Sequence, residues 1–199
     1  KCVAGRITAE INPAQAGARN WEVQVFMSDD VNAFALPGGK IGVYTGLLRV
    51  AKTQDQLAAV IGHEVAHVLA HHANERVSTA YTAEAALPAV SASGMVSPQL
   101  MSLMGLGTQV GVLLPFTRTQ ESEADLLGLH LIARAGFDPR QSIALWQNMG
   151  ASRKSGAPPE FLSTHPSDAT RMSKLNARMP SAMSLYQTAN NAGRRPQCG

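Results

Sequence analysis

Apolar residues recur through residues 53–76, TQDQLAAVIGHEVAHVLAHHANER, at Leu57, Val60, Ile61, Val65, Val68 and Leu69. That spacing predicts a helix with a wide apolar surface, set in the centre of a domain. Thr53 and Gln56 are spaced as a capping box, and Asp55 adds negative charge to the first turn, where the helix dipole favours it. No proline interrupts the run. Ahead of it the period falls to two. Trp21 to Val25 alternates and runs on into Phe26 and Met27, predicting a strand that Ser28-Asp29-Asp30 ends. Val31 to Leu36 predicts a second strand, Pro37-Gly38-Gly39 a turn, and Lys40 to Tyr44 a third strand. Thr45 is placed to cap a short helix over Gly46 to Ala51.

Downstream, Thr117 and Gln120 are again spaced as a capping box, and Gly136 after Ala135 marks the end of that helix. Asp138-Pro139 predicts the start of another, with proline at its first position, running to about Met149. Residues 151–166 read as loop. A last helix is expected from Ser167 to Met179, ending at Pro180, with a tail of few apolar residues on the surface. The first twenty residues are weakly patterned, with a turn at Asn12-Pro13. These elements predict one α+β domain, predominantly α, over residues 1–199, with its core in about 21–179 and a small sheet beside the central helix.

One stretch departs from ordinary composition. Ala85 to Thr117 holds no charged residue in 33 positions. Prolines and glycines interrupt it, so no apolar run approaches the ~20 residues of a membrane helix. It reads either as buried core or as an apolar lid or surface that touches membrane or unfolded protein. The 199 residues with 45% hydrophobic content suffice for a packed core, and aromatics at 5% lean the chain toward helix. Residues 1–133 carry eight basic and eleven acidic groups and residues 134–199 nine and three, so the net +6 of the second part is read as a solvated basic surface. No basic block is interleaved with aromatics, which argues against nucleic acid as a partner. Cys2 and Cys198 stand at the two ends. They read either as one disulfide, worth up to ~4–5 kcal/mol and implying an oxidising compartment, or as unrelated thiols, with Cys2 a lipidation remnant. No signal peptide is read in these residues, but they start without Met and look trimmed, so that says little about export.

The candidate chemistry lies on the central helix. His63-Glu64-Val65-Ala66-His67 is the H-E-x-x-H pattern. Residues four apart share a helix face, so both imidazoles can reach one metal ion, and Glu64 can deprotonate a metal-bound water. The alternative is a structural helix with two satisfied histidines. His71 lies about 12 Å along the axis from His63, too far to share one zinc. Ala70 and Ala73 stand where the metzincin extension needs Gly and His, which excludes that subclass. His71 and His72 therefore read as ordinary residues at a helix end. A catalytic zinc takes three protein ligands. Glu121 is the candidate for the third, and Asp125, one turn on, is placed to orient a ligand imidazole. Alone, those two acids would read as a solvated helix start.

HEVAH followed by ESEAD resembles the HtpX/BepA/LoiP family of membrane-associated zinc endopeptidases, in the same clan as the prenyl-protein proteases. Asn32-Ala33-Phe34-Ala35 with Pro37-Gly38-Gly39, Gly46-Leu47-Leu48, Ala135 to Pro139, and Thr164-His165-Pro166 with Arg171 extend the likeness over roughly residues 21–179. The resemblance implies a gluzincin-type fold and one zinc ion. It implies His63, His67 and Glu121 as ligands, Glu64 as general base and Asp125 behind them. Asn32, Ala33 and Phe34 would bind substrate backbone as an edge strand. His165 would be able to occupy the open zinc position and gate the site, and Arg171 or His165 would stabilise the oxyanion. The architecture is nearest to the LoiP-like, single-domain periplasmic lipoprotein members. The implied substrates are unfolded or misfolded envelope proteins, and the implied partners outer-membrane assembly machinery. Lys1 ahead of Cys2 places any lipid anchor upstream. The rival reading is a zinc-bound chaperone or assembly factor that His165 blocks. No oligomeric state is implied.

Overall fold

The computed structural model describes residues 1–12, 20–79, 81–82, 116–152, 160–165 and 169–198. The uncharged stretch therefore falls outside the described residues, apart from Phe116 and Thr117.

The chain opens with helix α1 (Cys2–Thr8), followed by strands β1 (Glu22–Phe26), β2 (Ala33–Leu36) and β3 (Lys40–Tyr44). The sheet order is β1-β3-β2, with β1 parallel and β2 antiparallel to β3. Among the described residues both β1 and β2 are thus edge strands. The β2–β3 turn needs two residues at positive φ, and Gly38 and Gly39 supply them at 90° and 83°. Helices α2 (Thr45–Val50) and α3 (Gln54–Leu69) follow. Thr45 does not cap α2. It is the first helical residue, and its hydroxyl donates to the Ser28 carbonyl at 2.7 Å, tying the helix to the end of β1.

Helix α3 carries half of the expected box. The Thr53 side chain accepts from Gln56 N, but the Gln56 amide oxygen accepts from Lys52 N, one residue before the cap. The Gln56 amide NH₂ meanwhile donates to Gln141 on a neighbouring helix. Tertiary partners have diverted a side chain whose local role was legible. Every residue of α3 from Val60 to Val68 is buried. Val60, Ile61 and Val65 join one core with Val3, Ala4 and Ile7 of α1, Ile41 and Val43 of β3, and Leu131 and Ile132 of a later helix. The expected helix to residue 76 is broken: α3 stops at Leu69, and residues 72–79 are helical again as α4.

Helix α5 (Arg118–Arg134) has the full reciprocal box, Thr117 with Gln120, and ends before Gly136, whose φ of 88° needs glycine. Helix α6 (Gln141–Ala151) begins two residues later than the Asp-Pro signal suggested. The Asp138 carboxylate accepts from Arg140 N, and the carbonyls of Asp138, Pro139 and Arg140 bond three residues ahead, a tight turn before the helix. A short helix α7 (Glu160–Thr164) lies in the expected loop. Helix α8 (Ala169–Asn191) overturns the stop at Pro180, for it runs through that proline. Pro180 is on the exposed side, where water can take the orphaned Asn176 carbonyl, and Leu175 and Ala182 are buried against Leu129 and Ala133 of α5. Among the described residues no helix is long and apolar enough to cross a membrane.

The tail turns back. Gln54 donates to the Pro196 carbonyl and accepts from Cys198 N, and Cys198 is disulfide-bonded to Cys2. Both ends of the chain are fastened to the start of α3. The seven residues of α1 give too little periodicity to predict a helix from sequence. Its shape comes from burying Val3, Ala4 and Ile7.

Candidate metal centre

The site forms where α3 and α5 cross. They approach as closely as they do because both carry glycine at the crossing. A Cβ on Gly128 would stand 2.9 Å from Gly62 C, Gly62 O and His63 N, and one on Gly62 would meet Ile132 Cγ2 at 2.5 Å. The Thr117 cap starts α5 at a point that turns Glu121 and Asp125 toward α3, where both are buried; Glu123 faces outward.

His63 and His67 stand one turn apart with their Nε2 atoms 3.1 Å from each other. Glu121 reaches both, Oε2 to His63 Nε2 at 3.5 Å and Oε1 to His67 Nε2 at 3.4 Å. His165, just past α7, brings Nδ1 to 3.3 Å from His63 Nε2 and 2.9 Å from Glu121 Oε1. All four residues are buried, and one donor atom from each lies within 4.8 Å of all the others. In a tetrahedral zinc site with bonds of about 2.0–2.1 Å, ligand atoms are separated by roughly 3.3–3.4 Å. The contacts of 2.9 to 3.5 Å scatter about that edge length. Imidazole nitrogens facing one another at such range share no good hydrogen bond if both are unprotonated, and a cation between them resolves the conflict. Three nitrogens and one carboxylate oxygen also suit zinc chemically. The residues present fit that metal.

Each histidine has further support. His63 Nδ1 faces Asp125 Oδ1 at 3.1 Å. His165 Nε2 faces Glu64 Oε1 at 3.4 Å. Phe116 lies on the His67 ring, with centroids 4.0 Å apart, and Phe161 stacks on His165 at 4.5 Å.

The electrostatics follow from burying so many groups together. Burial opposes a charge on His63, but Asp125 and Glu121 outweigh it and raise its pKa to about 9. Burial takes His67 down to about 3, against the pull of Glu121. Burial raises Glu64, with His165 and His63 opposing. Burial would raise Glu121 also, yet hydrogen bonds from His165, His63 and His67 hold it far below the usual carboxylate range. Asp125 is lowered by Arg171 and His63 against the same burial.

A groove of about 270 Å³ opens beside this cluster. One wall is β2 with its approach, Asn32 to Pro37; the floor holds Glu64, His67 and His165. The Phe34 ring lies over Gly42, stacks with Phe26 and meets Tyr44 edge-on. A larger hollow of about 510 Å³ lies elsewhere, lined by Glu10, Leu69, His71, His130 and Arg134, and holds none of the four clustered residues.

The structure thus brings together His63, Glu64, His67, Glu121, Asp125 and His165, with Asn32, Ala33 and Phe34 along the groove. Arg171 needs correction. It is buried, donates from Nε and Nη2 to both Asp125 oxygens at 2.7 and 2.8 Å, and has Nη1 2.6 Å from Glu121 Oε2. Its guanidinium lies over the Trp146 ring and is not among the groove-lining groups. An oxyanion role does not fit that position; the residue neutralises and fixes two buried carboxylates. His72 also departs from expectation. It is 1% exposed, buried rather than an ordinary helix-end residue, and its Nδ1 lies 2.9 Å from His67 Nδ1. The only sequence signal for it is a histidine just after the motif.

The family model for Peptidase family M48 matches residues 3–179. Mitochondrial metalloendopeptidase OMA1 of Schizosaccharomyces pombe is 38% identical over 171 residues, covering 85% of this chain and 50% of that protein. OMA1 of Arabidopsis thaliana is 40% identical over 178 residues, covering 88% of this chain and 35% of that protein. The beta-barrel assembly-enhancing protease of Escherichia coli is 34% identical over 160 residues, covering 76% and 33%. The chain spans half or less of the length of these relatives.

Proposed function

This chain belongs to peptidase family M48, and on that premise we propose that it is a zinc-dependent endopeptidase with a resting site closed by His165. The observation that carries the reading is the convergence of His63, His67, Glu121 and His165 at tetrahedral spacing beside a groove with an edge strand. Zinc bound there supplies a Lewis acid for the scissile carbonyl and a water acidic enough to ionise near neutral pH. His63, His67 and Glu121 would hold the metal, and Asp125 under Arg171 would fix the His63 ring. Glu64 accepts the proton of the attacking water and returns it to the departing amine; its raised pKa suits a group that carries a proton between two steps. Strand β2 is an edge strand among the described residues, and with Asn32 to Phe34 along the groove it would pair with an extended segment by backbone hydrogen bonds. Such pairing demands an unfolded stretch of substrate, which supports unfolded or misfolded proteins as the substrate class.

His165 stands where the water and the base have to meet. Its Nδ1 is in the ligand set and its Nε2 faces Glu64. Activity then requires the α7 end to withdraw, and His165 afterwards can donate to the developing oxyanion. The Cys2–Cys198 disulfide supports an oxidising compartment. The Escherichia coli relative named for beta-barrel assembly supports the bacterial envelope, with outer-membrane assembly factors as partners. Other relatives carry mitochondrial names, and fractionation of source cells distinguishes the two locations.

The test is zinc content and casein cleavage in the native chain, Glu64→Gln and His165→Ala. One zinc per chain, cleavage reduced ~10²–10⁴-fold in Glu64→Gln and raised in His165→Ala, is the expected result. One zinc with no cleavage in any of the three supports the second reading, a self-blocked assembly factor. No zinc removes the site.

A further inference from the structure

Among the described residues, His71 is the one non-glycine with positive φ, at 57°. Left-handed backbone is unfavourable for a residue with a Cβ, and it recurs where the surrounding structure needs it. Here it changes the direction of the chain. In a continuous helix, the fifth residue after His67 would be rotated by about 140° from it. The break at Ala70 and His71 brings His72 back beneath the zinc helix, with Nδ1 2.9 Å from His67 Nδ1. His72 Nε2 lies 3.3 Å from Glu123 Oε2 on α5. Two more contacts tie α4 to the same end of α5. Gln120 donates to Glu75 at 2.7 Å, and the Arg76 guanidinium lies over Phe116, which itself covers His67.

We propose that His72 and Glu123 are positioning residues for the zinc ligand His67, forming a His67–His72–Glu123 chain that fixes its ring and tautomer. The inference rests on the peptidase reading, since it presumes that His67 Nε2 binds the metal. A ligating Nε2 carries no proton, so His67 Nδ1 holds it and donates to His72 Nδ1. That nitrogen is then the acceptor, His72 Nε2 carries its own proton, and Glu123 accepts it. Each donor meets an acceptor, and the chain ends on a carboxylate that is 57% exposed. The arrangement parallels His63 on Asp125 and His165 on Glu64, so every histidine of the cluster is backed by an acid. For His67 the acid is too far to reach directly, and His72 spans the gap.

The experiment measures the zinc dissociation constant by competition with a chromophoric chelator at fixed pH, and the melting temperature of each metal-free protein. His72→Ala is expected to bind zinc 10–100-fold more weakly, the usual effect of removing an outer partner. His72→Asn, whose amide occupies the place of Nδ1, is expected to recover affinity to within about threefold of native. Glu123→Ala is expected to lose affinity in the same direction with the metal-free melting temperature unchanged, because its side chain is largely in water. Native affinity in His72→Ala overturns the proposal. So does His72→Asn no better than alanine, which would make the role one of packing. Should His72→Ala fail to fold, native affinity in Glu123→Ala overturns it equally. A native chain that takes up no zinc overturns the peptidase reading first, and this one with it.

Discussion

The glycine crossing of α3 and α5 allows the sharpest test of how the site is built. Gly128→Ala adds a carbon 2.9 Å from three backbone atoms, Gly62 C, Gly62 O and His63 N. Ordinary contact between such atoms needs about 3.5–4.0 Å. None of the three can rotate aside, so the helices have to part by roughly 0.6–1 Å near the crossing. Asp125 is three residues from position 128 and Glu121 seven, on the same rigid helix, so their carboxylates move with it. Metal sites tolerate about 0.2 Å in ligand distance. The expected cost is therefore twofold. Overpacking should remove about 1–3 kcal/mol of stability, roughly 2–12 °C in melting temperature for a domain of this size. Zinc affinity should fall by tenfold or more. The assays are thermal unfolding of the metal-free protein and chelator competition for zinc. Gly150→Ala on α6 is the control, for its added carbon meets nothing within 4 Å and alanine is the better helix former. A Gly128→Ala protein with native melting temperature and zinc affinity within threefold of native would refute the close-crossing argument.

Zinc uptake should also depend on pH in a way that identifies His63. Its nitrogen takes a metal only after losing the proton that Asp125 and Glu121 hold to a pKa of about 9. Apparent zinc affinity should rise about tenfold per pH unit until about pH 9 and then level, and a response already flat above pH 7 contradicts the assignment. In the metal-free protein the same raised pKa stabilises the fold fully below about 6.5, and the contribution disappears as pH rises through about 9, which unfolding at pH 6 and 10 measures in Asp125→Asn against native. Reduction of Cys2–Cys198 opens a loop closed over a separation of 196 residues, worth about 5 kcal/mol in the chain-entropy account. Reduced protein should melt roughly 10–20 °C lower, and equal melting temperatures in both redox states would show that the terminal segments are held by other contacts.

The local rules worked where one stretch of chain contains its own reason. Thr117 and Gln120 make both bonds of their box, Gly136 stands at positive φ past α5, and the strands at Glu22, Ala33 and Lys40 follow the alternation. They failed where a distant partner supplies the free energy. Gln56 left its box for Gln141 and Lys52. Pro180 did not stop α8, because the buried Leu175 and Ala182 hold the helix on both sides of it.

The site divides along the same line. The grouping of candidate residues on each helix was determined by sequence alone: a helix spacing of four places His63 and His67 on one face, with Glu64 between, and the same spacing pairs Glu121 with Asp125. Such spacing is a property of one helix and needs no partner. The tertiary structure decided which groups surround that pair. The close crossing at Gly62 and Gly128 brought Glu121 to the histidines, the fold behind α5 turned Arg171 onto two carboxylates, and a left-handed residue at His71 returned His72 to the ligand helix. Each of these joins residues distant in sequence or bends the helix that projection assumes straight, so only the packed chain could fix them.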